Sequence, residues 1–178
     1  MALLSRTRAA IVVVLSLVAA GPRTFAQPPL EDEVKAVFLF NFAKYVDWPQ
    51  AAPGGSASIR ICVPANEPFL ALVRQAVQDE VVNGRPLTAT SLDGLDDARE
   101  CDIIYVGGAK TPDAADWIGA VRGRPTLTVG DGDIVDGLVI AFVRDKDRLR
   151  FDINRPAASR QKLTISSRLL GLARRVDP

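Results

Sequence analysis

Between residues 59 and 153 the sequence alternates short apolar runs with segments of helical periodicity, and this alternation limits the fold more than any other feature. The run Cys101–Val106 is almost wholly apolar, as is typical of a strand buried on both faces of a sheet. Between the runs, Leu70, Val73 and Val77 recur at helical spacing. Strands that alternate with helices form βαβ units, so the pattern predicts an α/β fold with a parallel sheet.

Two later strands, Gly137–Val143 and Leu149–Ile153, flank a polar turn and predict an antiparallel hairpin. Helices are expected at both ends of the domain. The first covers Glu31–Trp48, where Pro49 stops it, and the last covers Ser167–Arg175. We therefore predict a single-domain, three-layer α/β sandwich, with a mostly parallel sheet and an antiparallel hairpin near the carboxyl terminus.

The first 26 residues have the three parts of a secretory signal peptide. Arg6 and Arg8 form a positive start, and Ala9–Ala20 is an apolar run. Thr24–Ala26 then places small residues at the −3 and −1 positions of a cleavage site, although the cleavage position itself stays open. The apolar run is shorter than the roughly 20 residues of a membrane span, and an uncleaved anchor helix is the alternative. We expect export, with residues 27–178 left as one domain.

The charge of the expected domain gives no reason to predict nucleic acid as a partner. Removal of the signal takes away Arg6, Arg8 and Arg23 but no acid, so the formal net charge changes from +1 to −2. A near-neutral domain lacks the positive field that attracts nucleic acid or an anionic membrane surface.

The chain contains no histidine, and this removes the commonest general base and the commonest metal ligand. Gly107–Thr111 resembles a phosphate loop, but Ala109 stands where that pattern needs glycine. Asp131–Gly137 resembles a calcium loop, but Asp136 stands at the obligatory glycine position. We therefore expect no catalytic residue, no metal site and no cofactor.

The two cysteines of the chain are Cys62 and Cys101. An even number of cysteines in an exported protein predicts a disulfide bond. Two buried thiols are the alternative, because Cys62 lies late in its strand whereas Cys101 opens another, and adjacent parallel strands need not bring such positions together. An exposed or strained bond would act as a redox sensor.

The segment Val34–Pro49 is rich in aromatic residues, and its apolar positions cover most of a helix circumference. Asn41, Lys44 and Asp47, spaced by three, leave one polar stripe. Such a helix is either buried on several sides or offers a face to a partner. We expect most of these apolar side chains to be buried against the sheet and a few to be available for contact with a partner.

The closing segment of the chain predicts a capped helix. Ser166 or Ser167 can cap it, and Leu169, Leu172 and Val176 form its inner stripe. We interpret Arg168 and Arg174 of this segment as solvated charges, and contact with an ion or a partner is the alternative hypothesis. The partner-binding candidates of the whole chain are Asn41, Lys44, Tyr45, Arg168 and Arg174.

Several blocks of the sequence resemble the YfiR family, in the same order and with the same spacing. They extend from about residue 31 to residue 175, which is nearly the whole expected domain. The blocks are Val34–Pro49, Ile61–Val63, Asn83–Leu87, Cys101–Val106, Leu127–Asp131, Leu149–Asn154 and Ile165–Leu170.

The resemblance implies a periplasmic regulatory domain. The best-understood relatives in the family repress an inner-membrane diguanylate cyclase by binding its periplasmic sensor region. They release the enzyme under envelope or redox stress, which raises cyclic di-GMP and promotes biofilm formation. Cys62 and Cys101 match cysteines that can be disulfide-bonded in the family, whereas a second pair found in some relatives is absent. The expected partner is the periplasmic domain of such a cyclase or a similar sensor, and a homodimer stays open.

Two other functions are weighed against this one. A periplasmic small-molecule receptor without catalysis is the first alternative, although transport receptors usually hold their ligand between two lobes and this chain provides one. A hydrolase or redox enzyme is the second, but the sequence lacks histidine and a Cys-x-x-Cys pair. We expect a binding protein and not an enzyme.

Overall fold

The computed structural model describes residues 30–49, 57–65, 67–108 and 112–177, and the predicted signal peptide lies outside them. The helices are α1 (Leu30–Tyr45), α2 (Glu67–Val77), α3 (Leu95–Ala98), α4 (Pro112–Ala120), α5 (Arg155–Arg160) and α6 (Ser167–Leu172). The strands are β1 (Val46–Asp47), β2 (Ile59–Pro64), β3 (Val81–Val82), β4 (Arg85–Leu92), β5 (Ile103–Gly108), β6 (Leu127–Asp131), β7 (Ile140–Asp145), β8 (Arg148–Asn154), β9 (Thr164–Ile165) and β10 (Arg175–Asp177).

Within the described residues, eight strands form one sheet in the order β10-β8-β7-β6-β5-β2-β4-β3. The five strands from β7 to β4 in that order run parallel to one another, and β10 runs parallel to β8. The β7–β8 hairpin and the β3–β4 pair are antiparallel. This topology confirms the predicted mostly parallel sheet with an antiparallel hairpin near the carboxyl terminus.

Helices cover both faces of the sheet, so the fold has three layers, as the sequence predicts. On one face, α1 and α2 contribute Leu39, Phe42 and Leu70 to the larger core. On the other face, α4 contributes Ala114 and Ile118 to a smaller core, which also includes the two cysteines. Strands buried between two helical layers account for the nearly continuous apolar runs of the sequence.

Burial of aromatic residues holds α1 on the sheet. The helix begins with the acidic turn Glu31–Glu33, which suits the positive end of the helix dipole. Further along, Phe42 is completely buried, and its ring centroid lies 5.7 Å from that of Phe142 and 5.3 Å from that of Phe151. These contacts fix the side of α1 that faces the sheet and leave its opposite side to solvent.

The first helix ends earlier than its periodicity predicts. Val46 and Asp47 leave the helix and pair with Ile165 and Thr164 as the two-stranded β1–β9 ladder. The apolar pattern continues to Trp48, but pairing with a distant strand decides where the helix ends.

The predicted last helix, Ser167–Arg175, is correct at its start but extends too far. α6 ends at Leu172, which is exposed, and Val176 belongs to β10, so only Leu169 of the predicted inner stripe is a buried helical residue. The sequence pattern also does not predict α5. This helix is capped by the side chain of Asn154, which accepts a hydrogen bond from the N–H of Ala157 at 2.9 Å.

Replacing Phe42 by alanine tests the aromatic anchor of α1. The variant removes a completely buried ring and leaves a cavity, so we expect it to lower the free energy of unfolding by about 3–5 kcal/mol. Urea unfolding followed by circular dichroism measures this loss. Val37→Ala is the matched control, because Val37 lies on the exposed side of the same helix and should cost little. Equal losses in the two variants would contradict this packing.

Candidate functional site

Four residues at the carboxyl end of α1 and the start of α6 form a patch of cations and aromatic rings, here called the α1–α6 surface: Phe40, Lys44, Tyr45 and Arg168. Lys44 Nζ lies 3.8 Å from the centroid of the Phe40 ring. The guanidinium carbon of Arg168 lies 5.8 Å from the centroid of the Tyr45 ring. A cation over an aromatic face is attracted by the ring quadrupole, so these contacts orient long side chains that solvent would otherwise leave mobile.

Backbone hydrogen bonds bring the two parts of this surface together. Next to the β1–β9 ladder, the N–H of Ser166 donates to the carbonyl of Tyr45 at 3.0 Å. The hydroxyl of Ser166 accepts from the N–H of Leu169 at 3.2 Å and so caps α6. The cap explains Ser166 without any chemical role, and it sets Arg168 beside the end of α1.

Asn41 lies one turn before Tyr45, and its side chain is already occupied. Its Nδ2 donates to the carbonyl of Val37 at 3.0 Å within the same helix. Leu30, Val34 and Val37 continue along the exposed side of α1 from Asn41, at helical spacing. An exposed apolar stripe therefore adjoins the α1–α6 surface.

Arg174 is separate from the other four candidates. Its Nε donates to Asp152 Oδ1 at 2.9 Å, and its Nη2 contacts the other oxygen of that carboxylate, whose side chain is only 3% exposed. This hydrogen bond is the main cause that raises the pKa of Arg174. Arg174 therefore neutralises a buried carboxylate. A role in partner binding stays a prediction for all five candidates: Asn41, Lys44, Tyr45, Arg168 and Arg174.

The structure contains the predicted disulfide between Cys62 and Cys101. Cys62 lies in β2, and Cys101 lies just before β5, with 6.0 Å between the two Cα atoms. The N–H of Asp102 donates to the carbonyl of Arg60 at 3.0 Å, which places the segment around Cys101 beside β2 and brings the cysteines within reach. Both cysteines are buried, so the bond is not exposed to solvent thiols.

A pocket of about 400 Å³ lies beside the amino end of α1 and is called the charged pocket here. Asp131 ends β6 and Arg144 lies near the end of β7, so the pocket is at the carboxyl edge of the parallel strands. The charged side chains that line it are Glu31, Lys35, Asp131, Asp133, Arg144 and Arg174.

Lys35 is the centre of this pocket's ionic contacts, although the residue is only 7% exposed. Its Nζ lies 3.0 Å from Asp131 Oδ2 and 3.1 Å from Glu31 Oε1. The hydroxyl of Tyr105 donates to the same Asp131 Oδ2 at 2.6 Å. Arg144 makes a second ion pair with Glu31. The cluster thus joins α1 to β5, β6 and β7.

The environment shifts the pKa of three groups in this cluster, Lys35, Tyr105 and Glu31. Burial alone lowers the pKa of Lys35, but the charges and hydrogen bonds of Asp131 and Glu31 outweigh burial and raise it overall. Burial, followed by the charge of Asp131, raises the pKa of Tyr105, so the phenol keeps its proton and donates a hydrogen bond to the carboxylate of Asp131. The hydrogen bond from Lys35 is the largest cause that lowers the pKa of Glu31.

The sequence does not predict this cluster, because Lys35 and Asp131 lie 96 residues apart. The sequence does contain one indication that Lys35 is buried. Lys35, Leu39 and Phe42 occupy positions i, i+4 and i+7, so the lysine shares the buried side of the helix with two core residues. A lysine on that side needs a buried acidic partner, which the sequence cannot identify.

In the residues that the structure describes, no group of three or more His, Cys, Asp or Glu is placed to hold a metal ion.

None of the helices in the described ranges combines the length and the apolar character required to cross a membrane.

Comparison with known proteins gives one family. The family described as YfiR/HmsC-like matches residues 32–174. No curated protein matches the chain. Among solved structures, the chain is similar to a conserved domain protein from Vibrio cholerae O1 biovar eltor str. N16961, with 14% sequence identity and a TM-score of 0.49. The similarity covers 82% of this chain and 60% of that one.

Removing the disulfide tests its contribution to stability. The double variant Cys62→Ala, Cys101→Ala opens a loop with a sequence separation of 39, so we expect a loss of about 4 kcal/mol on the chain-entropy account. Urea unfolding of the oxidised protein and of the double variant measures the difference. An unchanged midpoint in the variant would contradict a stabilising bond.

Arg174→Met tests the neutralisation of Asp152. The variant removes the two-point partner of a buried carboxylate, so the midpoint of urea unfolding should fall. Adding Asp152→Leu to that variant should restore part of the loss, because no buried charge is then left. Arg148→Met, at an exposed position of the hairpin, is the matched control. Equal midpoints for Arg174→Met and Arg148→Met would show that the pair stabilises nothing.

Proposed function

Because this chain belongs to the YfiR/HmsC-like family, we propose that it represses an inner-membrane diguanylate cyclase by binding the periplasmic sensor domain of that enzyme. The family itself points to a periplasmic regulator of cyclic di-GMP signalling. On this proposal the chain acts through contact with a protein and performs no chemistry.

The observation that carries the proposal is the α1–α6 surface. Tyr45 and Arg168 are of the two residue types that, with tryptophan, contribute most to binding energy in protein interfaces. Here the exposed Arg168 lies over the half-buried Tyr45, and Lys44 and Phe40 repeat the pairing of a cation with a ring one turn earlier. Because the cation–aromatic contacts hold these side chains in place, less conformational entropy is lost when a partner binds.

The exposed apolar stripe of α1 extends this surface. Leu30, Val34 and Val37 remain solvent-exposed even though the same helix buries its other side. Contiguous apolar groups next to polar and aromatic ones are typical of interaction surfaces. The stripe and the α1–α6 surface together form a face on which a sensor domain can bury both ring and aliphatic groups.

The disulfide supports the proposed compartment. Such bonds persist in oxidising environments, of which the periplasm is one. The bond is buried in the smaller core, so we propose a structural role for it and not a redox switch operated from solvent.

Binding of the variants to the sensor domain tests the proposal. The purified periplasmic domain of an inner-membrane diguanylate cyclase from the same cell is immobilised, and the affinity of the exported chain is measured by biolayer interferometry. Tyr45→Ala and Arg168→Ala should each weaken binding by about 10-fold or more, because each removes half of a fixed contact pair. Asp116→Ala, on the exposed side of α4 across the sheet, is the matched control and should bind like the wild type.

The same proteins are then added to membranes that contain the cyclase. The wild type should lower cyclic di-GMP synthesis, and the two surface variants should lower it less. Failure of the folded wild type to bind any such sensor domain, or an equal loss in Asp116→Ala, would overturn the proposal.

A further inference from the structure

The segment that closes the fold concentrates positive charge, although acids outnumber bases in the expected domain. Residues 153–176 contain six basic residues and no acidic one. In the fold this segment forms α5, β9, α6 and most of β10. The six bases are Arg155, Arg160, Lys162, Arg168, Arg174 and Arg175.

Half of these bases are neutralised within the fold. Arg160 Nη2 lies 3.1 Å from Asp136 Oδ1, and Arg174 and Arg175 both contact the buried Asp152. The other three are exposed and make no ion pair with any acid in the described part of the chain. They are called the basic face here: Arg155, Lys162 and Arg168.

The fold gathers the basic face around β9. Lys162 lies two residues before this strand, and Arg168 lies three residues after it. Arg155 lines a small recess together with Thr164 of β9. Asp47 is the acid that the β1–β9 ladder places opposite Thr164. Three bases are therefore set against one acid, and their net field attracts negatively charged groups.

The recess beside Arg155 has the donors that a carboxylate needs. Its volume is about 140 Å³, and the hydroxyl residues Ser159 and Thr164 line it together with Leu163 and Ile165. A guanidinium and hydroxyl groups can all donate hydrogen bonds to carboxylate oxygens. Small-molecule sites usually measure about 300–1,000 Å³, so this recess suits a single side chain of a larger partner.

The backbone around Lys162 is fixed by the end of α5. The N–H of Lys162 donates to the carbonyl of Ser159 at 3.0 Å, and the N–H of Leu163 donates to that of Ala158 at 2.9 Å. Lys162 itself has a φ of 59°, in the left-handed region that glycine usually occupies after a helix. Glycine can therefore replace this lysine and remove its charge without disturbing the turn.

From these observations we propose that the basic face binds an acidic segment of the sensor domain, with one carboxylate of that segment in the recess beside Arg155. This inference rests on the proposed function and specifies the charge of the partner's contact surface. Arg168 belongs to both the basic face and the α1–α6 surface, so the two surfaces are continuous. A flat anionic membrane would leave the recess unfilled, and this favours a protein as the partner.

Biolayer interferometry with the immobilised sensor domain tests the basic face. Arg155→Glu and Lys162→Glu should each weaken binding by about 10-fold or more at about 50 mM NaCl, and by much less at about 500 mM, because salt screens the attraction between exposed charges. Lys162→Gly should weaken binding several-fold while circular dichroism shows an unchanged fold. Arg148→Glu, exposed at the other end of β8 from Arg155, is the matched control and should bind as the wild type does.

The outcomes separate this inference from the proposed function. Binding of the wild type that is unchanged in folded Arg155→Glu and Lys162→Glu would overturn the basic face alone. Equal weakening in Arg148→Glu would also overturn it, because only the overall charge would then matter. A wild type that binds no such sensor domain would overturn both. Cosedimentation with phosphatidylglycerol vesicles that is lost in Arg155→Glu, with sensor binding unchanged, would assign the face to the membrane instead.

Discussion

The packing of α1 on the sheet is the interaction on which the rest of the structure depends. Phe42 inserts between Phe142 and Phe151, rings that belong to the two strands of the hairpin, while Leu39 is buried beside it. The β1–β9 ladder then attaches the end of the helix to the segment before α6. The charged pocket and the α1–α6 surface both take side chains from α1, so both depend on this packing.

The two ends of α1 have different physical character. At the amino end, Lys35 is buried among carboxylates in a concave site of ligand size. At the carboxyl end, the exposed Arg168 lies over the ring of Tyr45, which is half-buried against the core. One helix therefore connects the charged pocket to the α1–α6 surface.

Much of the fold could be predicted because it follows from local patterns. The nearly continuous apolar run Cys101–Val106 indicates a strand buried on both faces, and it contains most of β5. Some of the elements that were missed depend on distant partners. Val46 leaves the helix because Ile165 is available to pair with it, and Val176 extends because β8 lies beside it. Likewise, no local pattern relates Lys35 to Asp131, since only the fold brings them together.

The central claim is that this chain works by binding a sensor domain through the carboxyl end of α1 and the start of α6. Hydrogen–deuterium exchange of the exported chain, with and without a saturating periplasmic sensor domain, tests it most directly. The account predicts slower exchange in residues 40–48 and 165–170, with little change in α3 and α4 on the opposite face of the sheet. Slower exchange confined to α3 and α4, with residues 40–48 unchanged, would contradict it.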